Sequence, residues 1–306
     1  MGGCVKEEKK GIVLGVFAYV LWGIIPLYWK LLGEVQSLSI LFYRIVWSFV
    51  FMLLYIICIK KWRAFCQKVK SLFSSPKTLG FIVLAAIFIS INWFTFIYSV
   101  GHGHVTAASL GYYMNPLVNV LLGTVFLKEK LGRIGTVACC CAAVGVLMLV
   151  LLSGEVPIAS LVMAISFSLY GFVKKQLVVS SYTSLTIETL IMLPVALLYF
   201  VFFSPQPFMG YTTNLNLLLM GAGIVTAIPL MLFAEAAKRI SYILLGFIQY
   251  VNPTMMLLFA IFLFHEPYTL GQFFAFSFIW LGIVLFTYGT IQSHRKEKQF
   301  LSQGEK

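Results

Sequence analysis

Apolar residues along this chain come in long continuous runs rather than in stripes. Ten runs stand out, at 11–32, 37–59, 78–98, 105–127, 132–152, 156–173, 183–203, 214–236, 241–264 and 270–291. A helix crosses the hydrocarbon of a bilayer with about 20 apolar residues, and the sixth run is the shortest. None of them alternates with the period of two that a membrane β-strand needs. The first run is longer than the apolar part of a signal peptide, and no small-residue cleavage site follows it. The pattern predicts an all-α integral membrane protein with ten transmembrane helices.

Composition says the same from another side. Of 306 residues, 60% are hydrophobic and 10% charged, against about 45–50% and about 25% in soluble domains. A soluble fold has no way to cover that much apolar surface, and a disordered chain would not carry it. The net charge of +12 raises nucleic acid as a partner. However, the cations sit in short clusters between apolar runs, without interleaved aromatics, so no nucleic-acid partner is expected. Positive residues near span ends stay in the cytoplasm. With the N-terminus inside, every Lys and Arg except Lys30 and Arg44 falls on an inner segment, and the outer loops hold none. Both N- and C-termini are therefore expected to be cytoplasmic.

An internal repeat divides the chain. Tyr113-Met114-Asn115-Pro116 in the fourth span matches Tyr250-Val251-Asn252-Pro253 in the ninth, at an offset of 137 residues. Glu129 and Glu266 keep that offset, as do Gly145 and Gly282, and Leu21-Trp22-Gly23 echoes Leu169-Tyr170-Gly171. Five spans per half is an odd number, so the second half enters the membrane upside down, with Glu129 on the inner side and Glu266 on the outer. The expected organisation is a cytoplasmic segment 1–10, a first five-helix repeat 11–152, a second repeat 153–291 and a cytoplasmic tail 292–306.

Inverted repeats are typical of secondary transporters, whose substrate site lies near the midplane beside interrupted helices. Pro116 and Pro253 fall halfway along their spans. A mid-helix proline removes one backbone hydrogen bond and frees a carbonyl that lipid cannot satisfy, so both are candidate helix breaks. Residues three and four apart share a face. Tyr112, Asn115 and Asn119 thus form one stripe, and Gln249, Asn252 and Met256 form its counterpart. Such polar stripes face a cavity or join helices; they are candidate substrate contacts. Asn92 and Trp93 in the third span and Trp22 in the first are further candidates, since an indole can stack on a flat solute.

Arg44 and Glu188 lie well inside their spans, at a cost of a few kcal/mol each. Arg44 sits seven residues into its span, roughly 10 Å deep; it could snorkel to the outer headgroups, or it could attract an anion or form a gate. Glu188 lies near the inner end of its span, and an intramembrane carboxyl can pass protons, so it is the candidate for proton coupling. Glu235, four residues before Arg239, reads as a surface ion pair. His102 and His104 lack a third ligand, and Cys139, Cys140 and Cys141 read as packing residues. No phosphate-cradling loop, zinc motif or nucleophile elbow is present, so neither a metal nor a cofactor is expected, nor an enzyme.

Several segments together resemble the RarD family within the EamA-type group of drug/metabolite transporters. They are Tyr43-Arg44-Ile45-Val46-Trp47-Ser48, Ile91-Asn92-Trp93-Phe94, Ser109 through Leu117, Ile187-Glu188-Thr189-Leu190, Pro229 through Ala234, and Gln249 through Pro253. The resemblance covers about residues 11–291. It implies a bacterial inner-membrane permease, with two inverted five-helix EamA-type repeats around a central cavity, that exports or exchanges small metabolites or drugs. The expected partners are a small-molecule substrate and the lipid bilayer, with a homodimer as a further candidate. The competing readings are a membrane-embedded enzyme acting on lipid precursors and a non-transporting scaffold or sensor.

Overall fold

The structure, a computed structural model, describes the backbone of residues 2–101, 105–154, 158–263, 265 and 268–304. His102, His104 and Glu266 lie outside the described residues. Twelve helices and no strand occur among the described ones: α1 Gly2–Lys30, α2 Ser37–Cys58, α3 Trp62–Phe73, α4 Pro76–Gly101, α5 Val105–Val125, α6 Arg133–Ser153, α7 Ile158–Gln176, α8 Ser181–Phe202, α9 Thr213–Arg239, α10 Tyr242–Gln249, α11 Val251–Phe262 and α12 Leu270–Gly304. Nine stretches among the described residues are long and apolar enough to cross a membrane, one of them the stretch Tyr242–Phe259 that joins α10 to α11. Large apolar side chains such as Leu151, Val201, Phe202 and Leu270 are mostly exposed around the bundle, as lipid contact requires.

Three features differ from the sequence-based expectation. The charged stretch 60–77 contains a helix, α3, whose Phe65 and Leu72 are buried while Arg63, Lys68 and Lys70 are exposed. It is amphipathic and too short to span, so it reads as a helix lying along the bundle's end. The flanking segments continue the terminal helices, since α1 starts at Gly2 and α12 runs to Gly304. The matched prolines also act differently. Pro116 lies inside an uninterrupted α5, while the chain turns at Tyr250 and Pro253 sits in the first turn of α11. A proline is tolerated in a first turn because its missing N–H would be unpaired there anyway.

Helices early in the chain pack on helices late in it. α1 lies against α9 and α11, α2 against α8 and α9, α4 and α5 against α7, α5 against α10, and α6 against α12. The last pair is closest at two glycines: a Cβ on Gly145 would stand 2.4 Å from the Ala275 carbonyl oxygen, and one on Gly282 2.7 Å from that of Ala138. Small residues let backbones approach where lipid supplies no hydrophobic drive. Lys128 and His265, 137 residues apart, both take left-handed backbone, at φ 54° and 52°. Non-glycine residues adopt that conformation at a cost of about 1 kcal/mol, and here both stand just after a helix of the bundle.

Candidate functional site

A cavity opens between the helices, lined from α1, α2, α4, α5, α7, α9, α10 and α11. Its space, counted to the atoms' surfaces and including the mouth, is about 820 Å³. Trp29, Pro26 and Ile25 at the far end of α1 line it together with Arg44, near the start of α2. The cavity therefore occupies the half of the bundle that holds the α1–α2 turn.

Arg44 is the one charged residue among the lining residues. Its Nε donates to Thr226 Oγ1 at 2.9 Å, and its guanidinium lies 4.8 Å from the ring centroids of both Trp29 and Trp93. Both indoles are thus within cation–π distance of the charge, each contact contributing about 0.5–2 kcal/mol. No described carboxylate forms an ion pair with it.

The amides beside Arg44 are held in fixed orientations. Asn119 Nδ2 donates to Gln249 Oε1 at 2.9 Å and the Tyr19 hydroxyl donates to the same oxygen at 3.3 Å, which leaves the Gln249 nitrogen for the cavity. Asn92 Nδ2 donates to the Met163 carbonyl at 2.9 Å, which leaves its oxygen. Asn252 lines the cavity, yet its Oδ1 is buried with no hydrogen-bond partner. An unpaired buried acceptor costs about 1–3 kcal/mol, so this carbonyl is poised for a donor after a small rearrangement.

On its other side the cavity meets an aromatic layer. Tyr19, Trp22, Phe167, Tyr170 and Phe233 stack below the cavity with ring centroids 5.2–6.1 Å apart. Beneath them Lys174 Nζ meets Glu188 Oε1 at 2.6 Å, both side chains almost fully buried. Lys174 also donates to Ser184, Ser184 donates to Glu188 at 2.5 Å, and the Tyr170 hydroxyl donates to Glu188 at 3.3 Å. Further ties seal this end. Lys175 Nζ donates to the Ile240 carbonyl at 2.5 Å, Lys238 to that of Val179, and Glu129 accepts from the backbone N–H of Tyr242 at 2.7 Å and Ile243 at 2.9 Å, where α10 begins. Acceptors at a helix start satisfy its orphan donors and its dipole.

Of the residues singled out from sequence, Trp22, Arg44, Asn92, Trp93, Tyr112, Gln249 and Asn252 line the cavity. Asn115 and Asn119 do not: Asn115 Oδ1 accepts from Ser168 Oγ at 2.9 Å on α7, and Asn119 reaches Gln249 on α10. Asn115, three residues from Tyr112, is turned about 60° from it around a helix of 3.6 residues per turn, whereas Asn119, seven residues on, keeps nearly the same face but lies about 10 Å further along α5, where it meets Gln249. Glu188 is also outside the cavity and carries three donors. Glu235 does pair with Arg239, but its Oε1 also accepts from Ser181 Oγ at 2.5 Å at the start of α8. Sequence reasoning missed Tyr19, Trp29, Phe96, Phe167 and Thr226. The only signal for Trp29 was its position near the end of a span.

Comparison with known proteins completes the picture. The model of the EamA-like transporter family matches residues 9–151 and again 156–288. The chain is 44% identical over 293 residues to an uncharacterized transporter, YojE, of Bacillus subtilis, spanning 95% of this chain and 98% of that protein. It is 40% identical over 295 residues to the protein RarD of Salmonella typhimurium, at 95% and 99% coverage, and 29% identical to the chloramphenicol-sensitive protein RarD of Pseudomonas aeruginosa, at 96% and 98%. A protein of known crystal structure shares the fold with a TM-score of 0.71 at 17% identity, covering 91% of this chain and 97% of that one. Apolar helices and these relatives define a multi-pass membrane transporter. The chain belongs to the EamA-like transporter family and is of the RarD type of drug/metabolite transporter.

Proposed function

We propose that the chain is a secondary permease of the bacterial inner membrane that carries a small organic solute by alternating access, in the direction of export or exchange. The carrying observation is a cavity walled by helices from both halves, set toward the α1–α2 turn, with an aromatic layer and the Lys174–Glu188 pair packed on its other side. A site between two repeats that rock against each other is how such transporters work. Ten spans in two inverted halves, with both termini cytoplasmic, make the side of the α1–α2 turn the outer one. Crosswise packing supports that organisation: the contact of α1 with α9 has its counterpart in that of α7 with α4, and α6 pairs with α12. The matching left-handed residues Lys128 and His265 support it as well.

In this reading Tyr112, Gln249, Asn252 and Asn92 contact the solute's polar groups, and Trp22 and Trp93 contact its apolar body. Asn115, Asn119, Pro116 and Pro253 shape the walls. Glu188 remains the candidate for proton coupling; a proton would reach it only if the pair with Lys174 opens as the closed end does. The test is reconstitution into proteoliposomes and a flux screen over amino acids, phenolics and amphenicol drugs, with and without a pH gradient. Saturable flux that needs the protein is expected. Flux with the same pH dependence in Glu188→Gln would remove the coupling role, and no flux for any solute would remove the permease.

A further inference from the structure

We propose that the transported solute is a small aromatic anion, its carboxylate held on the outer edge of the Arg44 guanidinium; this rests on the permease reading. A cation buried in a membrane bundle is normally neutralised by the protein itself, and no described carboxylate forms an ion pair with Arg44. Its guanidinium lies 4.8 Å from the ring centroids of Trp29 and Trp93, and Nε is taken by Thr226. The terminal Nη groups form the edge that remains, and two parallel N–H groups there match the two oxygens of a carboxylate.

The neighbouring groups favour the same ligand. The Gln249 nitrogen is a donor because its oxygen is already taken twice, and the Tyr112 hydroxyl can donate as well. With no acid in the lining, an organic cation would enter a positively charged cavity without a counter-charge. An amino acid would leave its ammonium on neutral carbonyls such as that of Asn92. Aromatic walls around a single cation suit a flat apolar body carrying one negative group.

The experiment measures thermal stabilisation of the purified full-length protein by two matched series: indole-3-acetate, indole-3-acetamide and tryptamine; phenylacetate, phenylacetamide and phenethylamine. Ligand binding to the folded state stabilises it by RT ln(1 + [L]/Kd), so at equal concentration the tighter ligand raises the melting temperature more. The carboxylates are expected to bind at least about ten-fold more tightly than their amides, and the amines not at all. Arg44→Gln is expected to abolish the carboxylate preference while its ligand-free melting stays near that of the wild type. Equal binding of acid and amide, preference for the amines, binding by none of the six, or an unchanged preference in Arg44→Gln would each overturn the proposal. Counterflow of the preferred compound separates the two claims. Carboxylate binding without counterflow keeps the anion site and removes the permease, whereas flux of neutral or cationic solutes without carboxylate binding does the reverse.

Discussion

Two cations are buried in this bundle, and the protein treats them in opposite ways. Lys174 has a carboxylate at 2.6 Å, a serine between the two and a tyrosine completing the acid's shell, all in a closed core. Arg44 has two indole faces, one threonine and an open cavity. The first charge is completed by the fold and belongs to its stability. The second has no described carboxylate and faces a cavity, so its electrostatic cost is offset only in part by the indoles and Thr226. Burial of charge in a membrane protein is therefore a poor guide to function until the partners are counted.

Removing one member of each site breaks the comparison most sharply. Glu188→Ala strands the Lys174 ammonium in the core and is expected to destabilise the protein by about 3–5 kcal/mol. This is read as a large fall in melting temperature and in monodisperse yield. The double variant Lys174→Met/Glu188→Leu should recover most of that loss, because an apolar pair of similar volume replaces the ion pair at little net cost. If the double variant is no better than the single, the pair is not a self-contained structural unit.

A second effect of similar kind lies away from both charges. Gly145→Val would place side-chain atoms into the Ala275 backbone, and forcing α6 from α12 should cost about 1–3 kcal/mol. Melting near that of the wild type would contradict the close approach. Next in size, Trp29→Leu removes one of the two indoles beside Arg44. Losing one cation–π contact of about 0.5–2 kcal/mol should weaken solute affinity by about two- to thirty-fold with a small change in melting. The smallest contrast is between two matched asparagines. Asn115→Ala removes a bond to Ser168 and should lower stability by about 1 kcal/mol with flux per folded molecule retained. Asn252→Ala should do the reverse, since its carbonyl has no partner to lose.

The membrane class and nine of the spans were legible because an apolar run of twenty residues has few other uses. Depth and polarity also pointed to Arg44, Tyr112, Gln249 and Asn252, since polar groups in a span must face something polar. The same logic could not say which neighbour they face, so Asn115 and Asn119 looked equivalent to Tyr112 although α7 and α10 take them up. Trp29, Phe96 and Phe167 were invisible for the opposite reason: an aromatic lining a cavity looks, in sequence, like one facing lipid. Lys174 was hidden by the edge of its run, where a lysine reads as a cytoplasmic flank, and only packing shows that it turns inward to Glu188. Helix α3 was masked by its charges, because an interfacial helix has too few apolar positions to register as a span.

The account turns on Arg44 serving the solute rather than the fold, and flux per folded molecule of Arg44→Gln in proteoliposomes tests that most directly. The expected result is normal insertion and melting with flux reduced at least about ten-fold, equivalent to losing about 1.4 kcal/mol or more of solute interaction. Wild-type flux from a folded Arg44→Gln protein would contradict it.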